Sequence, residues 1–179
     1  MHKDIKEILF SEIELEERIT QLGEEISREY TGKALTIVGI LKGSNIFTSD
    51  LIRKIHIPVK LDFMAVSSYG NTTESSGVVK IMKDLDRSIE GEHLLIVEDI
   101  VDSGLTLNYL KDILLTRNPA SIRICSLLDK PLRRKVPVEI DYLGFEVPDE
   151  FIVGYGIDYA EYYRNLPYVG VLKREVYEK

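Results

Sequence analysis

Glu98 and Asp99 stand side by side, and after Ile100 and Val101 the chain continues Asp102-Ser103-Gly104-Leu105-Thr106, a short polar turn. Residues of these types in this order can hold a phosphorylated sugar. Gly104 lets the backbone approach a ligand closely, and the Ser103 and Thr106 hydroxyls can donate to phosphate oxygens beside exposed amides. Two neighbouring carboxylates repel a bare phosphate, so they suit sugar hydroxyls or a divalent cation that bridges to the ligand. The plainer alternative makes Asp102 or Ser103 a helix cap and the acids solvated loop residues.

Such a turn needs a strand before it and a helix after it. Leu94 to Val97 form a continuous apolar run of the kind that fills a buried parallel strand, and the run stops on the two acids. Leu107, Leu110, Ile113 and Leu114 then recur at helical spacing, with the helix ending near Asn118-Pro119. The unit is strand, acidic edge, turn and helix, and in open α/β sheets ligands sit beyond the carboxyl ends of the strands. A second unit repeats the order with a cation in place of the acids: a strand over 34–40, then Leu41-Lys42-Gly43-Ser44, then a helix over about 45–55. Lys42 and the amides around Gly43 and Ser44 could hold a second anion in a backbone nest, or form an ordinary connection with a surface lysine. A third strand over 121–128 ends in Asp129-Lys130-Pro131, which puts Lys130 either at the same cleft or at the head of a basic cluster with Arg133, Arg134 and Lys135.

Ser11 and Glu14 match a capping box, and Ile19, Leu22 and Ile26 follow at helical spacing, so a helix is expected over about 12–30. Val59, Leu61 and Phe63 alternate with Lys60, Asp62 and Met64, a strand with one wetter face that runs on into Ser67-Ser68-Tyr69. Residues 70–77 carry no apolar anchor, and a second alternating run over 78–82 follows. Tyr142, Phe145, Phe151 and Tyr155 make the tail dense in aromatics, which pattern alone assigns to core. The end of the chain reads as one short strand and a charged terminus.

The 179 residues are 44% hydrophobic and 30% charged, enough for one globular domain over 1–179 with a real core. A net charge of -7 argues against a nucleic-acid partner, since phosphate backbones call for a basic face. The single cysteine, Cys125, lies in an apolar run and excludes a disulfide framework within the chain, which suits a reducing compartment. No apolar run is long enough for a bilayer, so a cytoplasmic protein without a membrane partner is expected.

The residues VEDIVDSGLT, 97–106, resemble the phosphoribosyl pyrophosphate (PRPP) motif of the type I phosphoribosyltransferases, in the form of the 6-oxopurine branch. The resemblance runs from Leu41 to Arg164. It implies an α/β fold with a twisted, mainly parallel sheet flanked by helices. The core would cover about 34–130, and a small antiparallel hood would come from the N-terminal segment and about 131–179. A lid over about 67–78 would close on the site. The resemblance further implies PRPP and a 6-oxopurine base as substrates, IMP or GMP and pyrophosphate as products, Mg²⁺ as cofactor, and a homodimer or homotetramer. Glu98, Asp99, Asp102, Ser103, Gly104, Leu105 and Thr106 would bind ribose and 5-phosphate, Leu105 through its amide alone. Lys42, Gly43, Ser68, Tyr69 and Arg164 would take pyrophosphate. Lys130, Phe151, Ile152 and Asp158 would read the base, and Glu98, Asp99 and Asp158 would face the metal. Asp102 would be the general base. Competing readings are a transferase preferring xanthine, a regulator that keeps the fold and binds RNA, and a dinucleotide-binding domain, which lacks its G-x-G-x-x-G turn.

Overall fold

The structure is a computed structural model, and it describes residues 2–68 and 79–178, without the side chains of Ser68 and Val79. The elements of the first half are β1 (Ile5–Phe10), α1 (Glu12–Glu29), β2 (Leu35–Leu41), α2 (Asn45–Ile52), β3 (Val59–Ser68) and β4 (Val79–Lys83). Those of the second are β5 (His93–Val101), α3 (Leu105–Leu115), β6 (Ser121–Asp129), β7 (Tyr142–Glu146), β8 (Ile152–Val153), β9 (Val169–Leu172) and α4 (Arg174–Tyr177). The large sheet has the order β4-β3-β2-β5-β6-β7, parallel throughout except for β4, which pairs antiparallel with β3. A separate antiparallel sheet, β1-β9-β8, joins the two ends of the chain as the hood.

Both faces of the large sheet are buried, which is why its central strands read as unbroken apolar runs. In β5, Leu95 and Val97 pack with Leu15, Ile19, Leu22 and Ile26 of α1 and Phe47 and Leu51 of α2. Leu94 and Ile96, pointing the other way, pack with Leu107, Leu110 and Leu114 of α3. Helix α1 starts at the expected place because Ser11 is its cap: the Glu14 N–H donates to Ser11 Oγ at 3.3 Å, and the Glu14 carboxylate accepts the Ser11 N–H at 2.8 Å. Cys125 is buried in the layer under α1, as its neighbours in sequence imply, and burial pushes its thiol up.

Several boundaries differ from the sequence reading. Helix α2 stops at Ile52 rather than 55, since the His56 N–H donates to Ser27 Oγ and turns the chain toward β3. Helix α3 stops at Leu115, and Asn118, in a left-handed conformation with φ 54°, closes the turn before Pro119. In β3 the wet face and dry face do not follow the alternation: Met64 is fully buried and Leu61 is 43% exposed, because β4 pairs only with residues 65–68 and leaves the first half of β3 at the edge of the sheet. The large sheet also extends past residue 130, as β7 pairs in parallel with β6 and covers its outer edge. The short helix α4 forms where only a charged end was expected. Among the described residues no helix is long and apolar enough to cross a membrane.

Tyr142 of β7 ties this outer strand to α1 and β6. Its ring is 2% exposed, and its hydroxyl donates to Glu29 and accepts from Arg123 at 3.1 Å, while Arg123 and Glu29 also pair directly. Removing only the hydroxyl leaves the Arg123–Glu29 pair intact. Tyr142→Phe is therefore expected to cost about 1 kcal/mol and Tyr142→Ala about 3–5 kcal/mol in urea unfolding. Equal losses in the two variants would show that the hydroxyl, and not the ring, holds the edge.

Candidate active site

The carboxyl ends of β2, β5 and β6 open toward the hood, and each delivers one of the turns singled out in the sequence. The turn after β5 is built to receive an anion. Gly104 is the N-cap residue of α3, with φ 81°, and no side chain caps the helix. The nearest substitute is Ser103 Oγ, 3.4 Å from the Leu105 N–H. Neither Asp102 nor Ser103 is the cap residue, which removes the plainer alternative for them. The amides at the start of an uncapped helix attract negative charge. Only glycine fits position 104, where a Cβ would lie 2.8 Å from Val138 Cγ2.

The basic cluster after β6 braces this turn from behind. Lys135 N–H donates to Ser103 O at 2.9 Å, Arg134 Nε donates to Asp102 O at 3.2 Å, and Arg134 is ion-paired with Asp129. A cavity of about 120 Å³ results, lined by Glu98, Asp102, Ser103, Gly104 and Thr106 among others.

The two acids lie inside β5, not beyond it. The strand runs to Val101, and Glu98 faces Ser126 and Val101 faces Asp129 across the ladder with β6. The pairing continues because β6 is equally long, so the carboxylates are strand residues and are shielded from water. Glu98 is 9% exposed. Burial first, and the neighbouring Asp99 second, hold the Glu98 carboxyl well above the usual range. Burial also pushes Asp99 up to about 6, although the Ile100 N–H donates to its Oδ1 at 2.8 Å. A pair of shielded acids without a cation fits a divalent ion. Among the described residues no group of three or more His, Cys, Asp or Glu converges as a metal cage, so Glu98, Asp99 and Asp158 do not form one by themselves. That suits Mg²⁺, which keeps several waters and binds through one or two carboxylates plus ligand phosphates.

Asp99 lies against the turn after β2, where a Cβ on Gly43 would sit 1.7 Å from Asp99 Oδ2. The Leu41–Lys42 peptide bond in this turn is cis. The expected nest around Gly43 and Ser44 is only partly formed: the Ser44 N–H and Oγ both donate to Ile40 O, at 3.4 and 2.7 Å, since Ser44 is fully buried under the sheet. What remains for a ligand is Lys42 and Gly43. Lys42 Nζ is 2.9 Å from Glu161 Oε2, and Arg164 lies beside the same carboxylate at 3.6 Å. Arg164 is oriented by Asp158 at 2.8 Å and by Gly156 O at 2.8 Å. Its Nε is buried and has no acceptor among the described residues. Of the other pyrophosphate candidates, Ser68 ends β3 with its side chain outside the description, and Tyr69 and the rest of the lid lie outside the described residues.

A second cavity, about 350 Å³, lies between β5, β6 and the hood. Asp102, Lys130, Phe151, Ile152 and Asp158 all line it, so every base-reading candidate meets there. Lys130 is 7% exposed, its Nζ donates to Glu150 O at 2.7 Å, and burial pulls its ammonium below the usual range. Phe151 stacks on Tyr177 at 4.6 Å and meets Tyr159 edge-on. The sequence reading missed Ile100, Arg133, Asp149, Glu150, Ile157, Arg174 and Tyr177, which complete the lining. Arg133 NH1 lies 3.3 Å from Asp102 Oδ2 and its Nε 3.5 Å from Asp149. Glu161 was missed as well. Its only signal was an acid three residues before Arg164.

Parallel strands whose carboxyl ends carry an uncapped turn, paired acids and a lined cavity make this an α/β protein with its candidate site in a crevice under an antiparallel hood. The chain belongs to the phosphoribosyl transferase domain family, whose model matches residues 7–160. It is 54% identical over 178 residues to the hypoxanthine-guanine phosphoribosyltransferase of Bacillus subtilis, covering 99% of each chain. It is also 55% identical, over its full length, to the bifunctional protein TilS/HprT of Listeria innocua, of which it spans 28%. A crystal structure of a hypoxanthine phosphoribosyltransferase from Staphylococcus aureus superposes with a TM-score of 0.98 at 51% identity, covering 100% of this chain and 97% of that one.

The raised carboxyl of Asp99 sets a pH dependence of stability. The folded state holds this proton more tightly than the unfolded state, so the contribution of Asp99 to stability is greatest below about pH 4 and is lost as pH rises toward 6. Asp99→Asn keeps the acceptor for Ile100 without the charge. At pH 7.5 it is expected to unfold later than wild type in urea, by on the order of 1–3 kcal/mol, and the difference should vanish near pH 4. An equal difference at both pH values would mean that the Asp99 charge costs the fold nothing.

Proposed function

We propose that the protein is a purine salvage enzyme that transfers the 5-phosphoribosyl group of PRPP to hypoxanthine or guanine, giving IMP or GMP and pyrophosphate. The observation that carries this reading is that Asp102 lines both cavities, the phosphate turn and the base slot. A carboxylate between the two is where a proton must leave as a base joins a sugar.

On this reading Ser103, Gly104, Leu105 and Thr106 hold the 5-phosphate, with Leu105 giving only its N–H. Glu98 and Asp99 face the ribose hydroxyls and fix the sugar for displacement. Bound Mg²⁺ would neutralise these acids together with the leaving pyrophosphate. Lys42, Gly43 and Arg164, with Ser68 and Tyr69 from the lid, take the pyrophosphate side, where a guanidinium suits a forked phosphate contact. Lys130 exchanges the Glu150 carbonyl for the exocyclic oxygen of the base, and Phe151 stacks on the ring. Ile152 offers its backbone to the ring edge, and Asp158 faces the base and would help hold Mg²⁺ when it is bound. An ammonium donor matches a 6-oxo group and faces a second donor in a 6-amino group, so adenine is disfavoured. Carbon one gains oxocarbenium character as the bond to pyrophosphate breaks, and Asp102 takes the proton of the attacking ring nitrogen. The lid over 67–78 would exclude water from the reacting sugar. A cytoplasmic place fits the lone buried thiol of Cys125, and a homodimer or homotetramer fits the exposed Ile13, Met82 and Tyr162.

The activity test offers hypoxanthine, guanine, xanthine and adenine separately with PRPP and Mg²⁺, followed by ultraviolet absorbance. Turnover of the first two with little of adenine is expected, and a preference for xanthine would move the substrate within the same reaction. No turnover of any base, despite nucleotide binding, would replace the enzyme with an RNA-binding regulator. Asp102→Asn is expected to cut the transfer rate by roughly 10²–10⁴ while changing PRPP affinity only a few-fold. Survival of turnover within a few-fold would reduce Asp102 to a loop residue.

A further inference from the structure

Glu161 occupies a turn with an unusual backbone. Ala160, Glu161 and Tyr163 all adopt left-handed conformations, with φ of 50°, 69° and 76°, a strained choice for residues other than glycine. The turn is fastened by Asp158, whose Oδ2 accepts the Glu161 N–H at 2.8 Å while its Oδ1 holds Arg164, and by mutual backbone hydrogen bonds between Tyr159 and Tyr162. The outcome is a carboxylate placed between two cations, 2.9 Å from Lys42 Nζ and 3.6 Å from Arg164 NH2.

We propose that Glu161 sets the affinity of this site for pyrophosphate by competing with it, as an internal anion, for Lys42 and Arg164. The inference rests on the reading of these two cations as the pyrophosphate side of the site. Two observations support it. Lys42 and Arg164 come from distant parts of the chain, and Glu161 is the one acidic side chain paired with both among the described residues. The side chains of Lys42 and Glu161 are 69% and 66% exposed, so their pair is weak enough for a multiply charged ligand to displace.

Pyrophosphate brings more charge and more oxygens than one carboxylate, so it wins the cations, but only after breaking the contacts of Glu161. The net affinity is lower than bare cations would give, and departure of the product is faster. Glu161 is thus a residue that tunes product release without touching the reacting atoms.

The test measures binding of inorganic pyrophosphate with MgCl₂ to the full chain by titration calorimetry at fixed ionic strength. Glu161→Gln, and Glu161→Ala as a second variant, are expected to bind pyrophosphate roughly two- to fivefold more tightly than wild type. In a Lys42→Gln background most of that gain should disappear, because the competed cation is gone. Unchanged or weaker binding by both Glu161 variants, with Lys42→Gln still weakening binding, overturns the role of Glu161 alone. Failure of the folded wild type to bind pyrophosphate overturns the assignment of the subsite itself, and the competition with it.

Discussion

The register of β2 on β5 is the constraint on which the site depends. The two strands pair in parallel down to Gly39 opposite Val97, and two residues further on they carry Leu41 and Asp99. Lys42 and Gly43 therefore pass directly over the Asp99 carboxylate, close enough that any side chain on Gly43 would collide with it. A slip of one residue would turn both apolar faces to the wrong layer, and a slip of two would shift the turn by roughly 6.6 Å. Neither is open to the chain, because Leu95 and Val97 are locked under α1 and α2 while Leu94 and Ile96 are locked under α3. The cores on the two faces of the sheet position the acids as firmly as they stabilise the fold.

The hood adds what the sheet cannot supply. Open α/β sheets place ligands beyond the strand ends, where one side of the crevice would face solvent. Here the pairing of β1 with β9, and of β9 with β8, brings both ends of the chain over that crevice and sets Phe151, Ile152 and Asp158 opposite Asp102 and Lys130. Tyr177 of α4 backs Phe151 from the far end of the chain. The base slot is therefore an interface between two sheets, which share the core under α1 through Ile152 and Val169, while Ile5, Val153 and Leu172 form a smaller cluster within the hood.

Sequence reasoning worked best where local chemistry decides. The capping box at Ser11, the buried strands and the uncapped turn at Gly104 follow from short-range rules, and so does the burial of Cys125. It worked less well where a distant partner decides. Nothing local indicates that β5 runs on through Glu98 and Asp99, because that depends on the length of β6 beside it. The face of β3 could not be read from its alternation, since how far β4 pairs along it is a tertiary fact. Tyr177 was invisible as a site residue for the same reason, being brought there beside the hood, and Arg133 is set in the site by the turn that follows β6. Arg164 needed the family resemblance to be singled out, Lys42 needed it to be preferred over a plain surface lysine, and their shared contact with Glu161 needed the fold.

The charges of the site explain how an acidic chain can receive anionic ligands. Four cations facing the crevice have a protein partner: Lys42 has Glu161, Arg164 has Asp158, Arg133 has Asp102, and Lys130 has the Glu150 carbonyl. A free ammonium in a buried slot such as that of Lys130 would be costly, and an unpaired carboxylate such as Glu98 is already pushed toward its neutral form. Pairing lets the charges be held ready without that cost. Under the proposed function, binding is an exchange of partners: phosphates replace carboxylates on the cations, and a divalent ion carried by the substrate satisfies the acids. The pairs at the rim, Lys42 with Glu161 and Arg133 with Asp102, are solvated and weak, so they yield to a ligand. The ion pair behind the turn, Arg134 with Asp129, is shielded and stays. The gradient from exposed to buried pairs separates the groups that must move during a reaction from those that must hold the turn still.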